Sequence, residues 1–178
     1  NYEYLIIDGN STDQSVNVLK EYSQKFAGKS SISFKWISEK DTGVYNAMNK
    51  GIALANGEYL LFLNSGDYLV HENVLKEVFS EFRTADFLCG RCNISDKGKI
   101  IHTTNPPEHH TFWNYFKDSL NHQSTFIKKS TFERYGLYRE DFKYNSDWEF
   151  WIRTIILNNC SAQRLNTIIC DYNLDGIS

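Results

Sequence analysis

Three times in the first half of this chain, an apolar run stops at a loop of acidic and turn-forming residues and is followed by helical spacing. Tyr4-Leu5-Ile6-Ile7 stops at Asp8-Gly9-Asn10-Ser11-Thr12-Asp13, after which Val16, Leu19, Lys20, Tyr22 and Phe26 keep helical spacing up to Gly28. Ile32 to Ile37 alternates with period two and stops at Ser38-Glu39-Lys40-Asp41-Thr42-Gly43, and Val44 to Ala55 resumes the helical pattern. Tyr59 to Leu63 reads as a continuous buried strand, Asn64-Ser65-Gly66-Asp67 as its loop and Glu72 to Phe82 as an amphipathic helix. Strand, loop and helix in series predict parallel strands joined by right-handed crossovers, with the loops after the strands opening on one edge of the sheet. That topology is expected to bring Asp8, Asp41 and Asp67 to a common rim, where ligands of such folds bind.

The second half has a different grammar. Asp86 to Ile94 and Lys99 to Thr103 predict a hairpin around Asp96-Lys97-Gly98, and Pro106-Pro107 breaks the chain. Phe112 to Phe116 reads as a short helix, Gln123 to Ile127 as a strand, Ser130 to Tyr135 as a turn of helix, Asn145 to Leu157 as a longer helix and Thr167 to Tyr172 as a last strand. The class is α/β with an α+β second half. With 178 residues, 41% of them hydrophobic and 23% charged, one domain with a sizeable core is expected. A net charge of −3 with both signs interspersed offers no footprint for nucleic acid. The longest apolar runs fall far short of the ~20 residues that span a bilayer. The chain begins at Asn1 inside a strand-like run, and a preceding segment is expected to have been trimmed.

Cys89, Cys92, Cys160 and Cys170 lie in apolar stretches and read as buried thiols, since Cys89-Gly90-Arg91-Cys92 has no second pair at zinc-binding distance. His109-His110 likewise reads as loop. A carboxylate directly after a parallel strand, as at Asp8 and Asp41, accepts hydrogen bonds from a ribose hydroxyl or a base imide, or else closes an Asx-turn and caps the next helix; spacing alone leaves both open. Asp13 reads as a first-turn acid. No glycine-rich phosphate loop occurs, so phosphates would need another holder. A divalent cation on the loop from Asn64 to Asp67 is one, and a ligand-free turn is the alternative. Asp147 stands at the mouth of an aromatic helix, and the rings of Trp113, Tyr115, Trp148 and Trp151 offer either sugar-packing faces or core.

These segments, taken in order, resemble the inverting glycosyltransferases of family 2. The likeness runs through Tyr4 to Asp13, Ser38 to Gly51, Gly57 to Asp67, His122-Gln123 and Ser146 to Arg153. It implies the GT-A fold, a Rossmann-like three-layer sandwich with a mostly parallel sheet and a smaller α+β acceptor half. It also implies a single domain, with residues 1–83 as donor half and 84–178 as acceptor and catalytic half. Asp8, Ser11, Asp41 and Asn64 would line the nucleotide-diphosphate sugar, Asp67 would hold Mg²⁺ or Mn²⁺, and Asp147 would be the catalytic base. His122, Gln123 and Trp148 would line the acceptor or phosphate side. The resemblance suggests a UDP-hexose donor, a sugar or lipid-linked sugar acceptor, a place in polysaccharide biosynthesis and a cytoplasmic location that allows peripheral attachment at the inner face of a membrane.

Three departures accompany it. Asn64 and Gly66 replace the two acids of the usual Asp-x-Asp, Ser146 replaces the Glu that commonly precedes the base, and a first strand and helix of roughly thirty residues are expected to be missing. The first and last motivate a rival, a degenerate GT-A domain that binds carbohydrate or nucleotide without turnover. A sugar-phosphate nucleotidyltransferase is disfavoured because its glycine-rich basic loop is not seen.

Overall fold

The first two apolar runs pair with each other as the repeat predicts. In the computed structural model, which describes residues 2–29, 32–117 and 119–174, β1 (Tyr2–Asp8) lies parallel to β2 (Ile32–Ser38), in register from Tyr2↔Ile32 to Asp8↔Ser38. Helices α1 (Ser15–Phe26) and α2 (Val44–Leu54) follow the two strands. Phe34 meets Tyr4 edge-on at 5.7 Å and stacks on Phe26 at 5.3 Å, while α2 buries Tyr45, Met48 and Ile52. Glu3 joins the strands to the following loop, pairing with Lys35 Nζ and accepting from Asn56 N, both at 2.8 Å.

These elements form one compact unit, residues up to Glu58 together with the segment Gly136–Ser146. The buried amide of Asn49 holds that segment: its Nδ2 donates to Tyr138 O at 2.9 Å and its Oδ1 accepts from Tyr138 N at 3.0 Å. A side chain that matches both backbone groups of one residue fixes a returning strap much as a ladder would.

The second unit comprises Tyr59–Tyr135 and residues from Asp147 onward. Its sheet runs β3 (Tyr59–Leu60), β7 (Thr125–Lys128), β5 (Phe87–Asp96), β8 (Ala162–Asn173), β4 (Tyr68–Leu69), with β6 (Lys99–Thr104) also paired to β5. The long central pair β5 and β8 is parallel and the other ladders are antiparallel. The predicted hairpin is present, with Asp96↔Lys99 as its last pair. Two expectations shorten. The strand read over 59–63 keeps a ladder only at Tyr59 and Leu60, antiparallel to β7, and the helix read over 72–82 is α3, Val74–Val78.

The sheet buries both faces. On one, Val74 and Val78 of α3 pack with Leu88, Cys92, Phe126, Leu165, Ile169 and Cys170. On the other, Phe87 meets Phe150 and Trp151 of α6 (Ser146–Trp151), and Phe150 stacks on Phe132 of α5 (Lys129–Tyr135) at 4.6 Å. The remaining short elements are α4 (Phe112–Lys117) and a 3₁₀ turn, His122–Ser124. The helix expected over 145–157 ends in a π turn, Ile152–Ile156, where Leu157 N reaches back to Ile152 O at 3.0 Å. All four cysteines are buried free thiols, as expected, with burial pushing Cys89 up to about 12.

Candidate active site

The loop ends of β1 and β2 make a polar rim. Register sets Asp8 beside Ser38, and the Asp8 carboxylate accepts from Ser11 N at 3.0 Å, from Ser11 Oγ and from Ser38 Oγ. Burial raises the pKa of this group, but the Ser11 and Ser38 hydroxyls and backbone N–H donors outweigh it and hold it below 3.8. A depressed carboxylate contributes stability that is present above its unfolded value and is lost as pH falls through the lower folded one. Ser38→Ala removes one donor, so the Asp8 titration followed by carboxyl NMR should move upward toward 3.8; an unmoved midpoint would contradict a hydrogen-bonded origin of the shift.

Asp41 is less committed. Its Oδ1 accepts from Gly43 N at 3.1 Å, while Oδ2 faces Gly9, where an added Cβ would stand only 2.6 Å away. The local Asx-type bonds weighed from the sequence are therefore formed at both Asp8 and Asp41. Yet Oδ2 of Asp41 takes no hydrogen bond among the described residues and is free to accept one from a ligand.

In the second unit the residues after β3 and before β7 meet. Residues 64–67 turn with Asp67 N donating to Asn64 O at 3.1 Å, Gly66 supplying φ +100. Asp67 Oδ2 accepts from Asn64 N and Oδ1 from Asn173 N, each at 3.2 Å, and the buried Gln123 side chain also donates to it. Burial raises the Asp67 carboxyl above its ordinary value against those three donors.

His122 is the hub. Its Nδ1 lies 3.0 Å from Asp147 Oδ2 and its Nε2 lies 3.2 Å from Asn64 Nδ2. The carboxylate is an acceptor only, so Nδ1 donates to it, while Nε2 faces the Asn64 amide. The two side chains of the pair are 13% and 18% exposed, sheltered enough for the bond to orient Asp147 yet open to a ligand. Asn145, at φ 63, turns the chain into α6, where Asp147 Oδ1 takes Trp148 N at 2.9 Å. Trp148 itself is anchored, Nε1 donating to Tyr115 O at 2.7 Å.

Of the residues singled out in the sequence, Asn64, Asp67, His122, Gln123 and Asp147 thus share one hydrogen-bonded chain with Trp148 beside it, and Asp8, Ser11 and Asp41 share the rim. Ser38 and Asn173 were not foreseen: Ser38 was legible as the strand-end partner of Asp8, whereas nothing marked Asn173. As for a cation, no group of three or more His, Cys, Asp or Glu is placed to hold a metal among the described residues. Three of the roughly four acceptor positions of Asp67 are taken, and the one that is left fits one ligand position of a hydrated ion shared with phosphates and does not fit a protein-built cage.

Residues 1–157 match the family described as Glycosyl transferase family 2. The chain belongs to that family. The family 2 domain is 27% identical over 98% of its length to a PGL/p-HBAD biosynthesis glycosyltransferase of Mycobacterium tuberculosis, of which it covers 66%. It is 29% identical over 56% of its length to the Staphylococcus aureus poly(ribitol-phosphate) beta-N-acetylglucosaminyltransferase TarP, covering 30% of that protein. Among solved structures, S. aureus TarS in complex with UDP-GlcNAc superimposes with a TM-score of 0.62 at 19% identity, over 96% of this chain and 49% of that one. TarS bound to UDP gives 0.60 at 17%, over 97% and 51%. At such identity the likeness is one of fold, and the fold is the GT-A α/β type. The chain spans about two thirds of the mycobacterial relatives and about half of the TarS chains.

Proposed function

We propose that this family 2 domain transfers a sugar from a nucleotide-diphosphate donor, UDP-hexose by preference, to a hydroxyl acceptor with inversion, as a step in building a polysaccharide or glycolipid. The observation that carries the reading is the His122–Asp147 pair joined through Asn64 to the turn ending at Asp67. A sheltered carboxylate whose orientation is fixed by an imidazole is suited to take the proton of an attacking hydroxyl. Asp8, Ser11 and Asp41 take the nucleoside, with Asp41 Oδ2 the open acceptor. Asn64, His122 and Gln123 face the phosphate and acceptor side, and Trp148 backs the acceptor. A Mg²⁺ or Mn²⁺ ion held by Asp67 and the donor phosphates would stabilise charge on the leaving diphosphate. The names of the mycobacterial relatives and the nucleotide complexes of TarS support the donor class and the pathway type. No helix among the described residues is long and apolar enough to cross a membrane. We place the activity in the cytoplasm, and a lipid-linked acceptor would bring it to the inner membrane face.

A second reading, a nucleotide-sugar binder without turnover, is favoured by the commitment of both Asp67 oxygens to the chain's own N–H groups. A thermal-shift screen of nucleoside diphosphates on the full-length protein tests the binding that both share. Ligand at a hundredfold above Kd adds about 2.7 kcal/mol, a rise of about 5–10 °C for a domain of this size. Mn²⁺ alone should shift the midpoint by less than about 1 °C and should add to the shift only with diphosphate present, because one carboxylate cannot hold a hydrated ion by itself. A large shift with Mn²⁺ alone would reveal a cage that the site does not contain, and no shift with any diphosphate would end both readings.

A further inference from the structure

The 3₁₀ turn that carries His122 and Gln123 is fastened to β5 on both sides of Arg91. On one side Ser124 Oγ donates to Gly90 O at 3.2 Å; on the other Asn121 Nδ2 donates to Thr104 Oγ1 at 2.9 Å, and that hydroxyl donates to Cys92 O at 3.3 Å. Alternation along β5 puts Leu88 and Cys92 into the core against α3, and Phe87, Cys89 and Arg91 on the opposite face, the one covered by α6 at Phe87.

Arg91 is partly exposed, but its Nε is buried and has no hydrogen-bond partner, and the side chain makes no ion pair among the described residues. A guanidinium keeps its charge at every pH a protein meets and offers five donors in a rigid fork. A donor left dry and unmatched is costly, so an unpartnered one beside the turn that carries His122 and Gln123 asks for a partner from outside the chain. The two acids of the candidate site are engaged elsewhere, Asp67 with Asn64, Asn173 and Gln123 and Asp147 with His122.

We propose that Arg91 is an anion-binding residue of this site and takes a phosphate group beside the His122–Gln123 turn. Phosphate oxygens match the fork geometry in a bidentate way, which a single point charge would not require. The proposal rests on the glycosyl-transfer reading only for the carrier of that phosphate, since the donor's diphosphate and a phosphate on the acceptor present the same oxygens.

The test is calorimetric titration of the full-length protein and its Arg91→Gln and Arg91→Lys variants with inorganic pyrophosphate, UDP, uridine, and inorganic phosphate added to UDP-saturated protein. If the donor supplies the phosphate, Arg91→Gln weakens UDP and pyrophosphate about ten- to a hundredfold and leaves uridine unchanged. If the acceptor supplies it, UDP is unchanged and the binding of phosphate to the UDP complex is lost. Arg91→Lys, which keeps the charge without the fork, should lie between, and it carries the test should Arg91→Gln not fold. Pyrophosphate binding that depends on Arg91 while UDP fails to bind would support the anion site and count against the glycosyl-transfer reading. Wild-type affinity of both variants for every phosphate probe, or no binding of any probe to the wild type, would overturn the proposal.

Discussion

Asp147→Asn should lower the rate of transfer by about a hundred- to ten-thousandfold, the range for losing a general base, while leaving UDP affinity within about twofold. The amide has the size of the carboxylate but a single acceptor oxygen, and His122 Nδ1 and Trp148 N now meet different oxygens, so one of the two orienting bonds is kept and the other is lost. What it cannot do is hold the proton of an attacking hydroxyl. Stability should fall by about 1–2 kcal/mol for the lost bond, and the loss of rate should fall on kcat rather than on the donor's KM. Release of UDP from a donor that the wild type turns over is the measurement. Equal turnover in the variant would remove Asp147 from the base role; equal inactivity in both proteins, with UDP still bound, would favour the binding-module reading.

Gly90→Ala should be the most damaging single methyl in the second unit. A Cβ there would lie 2.3 Å from Ile169 Cγ1, 2.9 Å from Ile169 Cδ1 and 3.2 Å from Ser124 O. Ile169 has no exposure and is wedged among Val74, Val78 and Leu88, so it cannot swing clear. Ser124 O belongs to the turn that presents His122 and Gln123, so relief on that side moves the site. Overpacking of this kind costs about 1–3 kcal/mol, and the upper end is expected because one of the opposing atoms is backbone. In urea unfolding, Gly90→Ala combined with Ile169→Ala should cost less than the sum of the two single changes, since removing the isoleucine arm makes room for the new methyl. A neutral Gly90→Ala, or strict additivity, would contradict the close approach of β5 and β8.

The first unit is legible in the residue pattern for a physical reason. Both repeats are locally consistent, with strand alternation, a turn cluster and a helical stripe agreeing, so the pattern alone sets Asp8 and Asp41 at strand ends. The third repeat misled because Tyr59 to Leu63 is apolar throughout, and apolarity fixes neither pairing nor, at the exposed Leu63, burial; the ladder stops at Leu60 with the antiparallel register to β7. Glu72 to Phe82 carries helical spacing, but only Val74–Val78 is helical, and Phe82 is 90% exposed. The π turn after Trp151 left no trace in the residue pattern. Within the candidate site, resemblance picked out His122, Gln123 and Asp147 one by one, but the bonds among them were not readable. The partners of His122 lie 25 and 58 positions away, a separation about which periodicity is silent. For the same reason Arg91 looks like any strand arginine in the sequence, and only its surroundings show a buried Nε without a partner.

The proposed transfer depends first on a nucleoside diphosphate being held by the carboxylate left open at the end of the first parallel pair. Isothermal titration of UDP into the full-length protein, compared with Asp41→Ala, measures this directly. The expected result is saturable binding by the wild type, weakened about tenfold or more in Asp41→Ala by loss of a charge-assisted hydrogen bond. Identical isotherms for the two proteins, or no heat from UDP or any other nucleoside diphosphate, would contradict it.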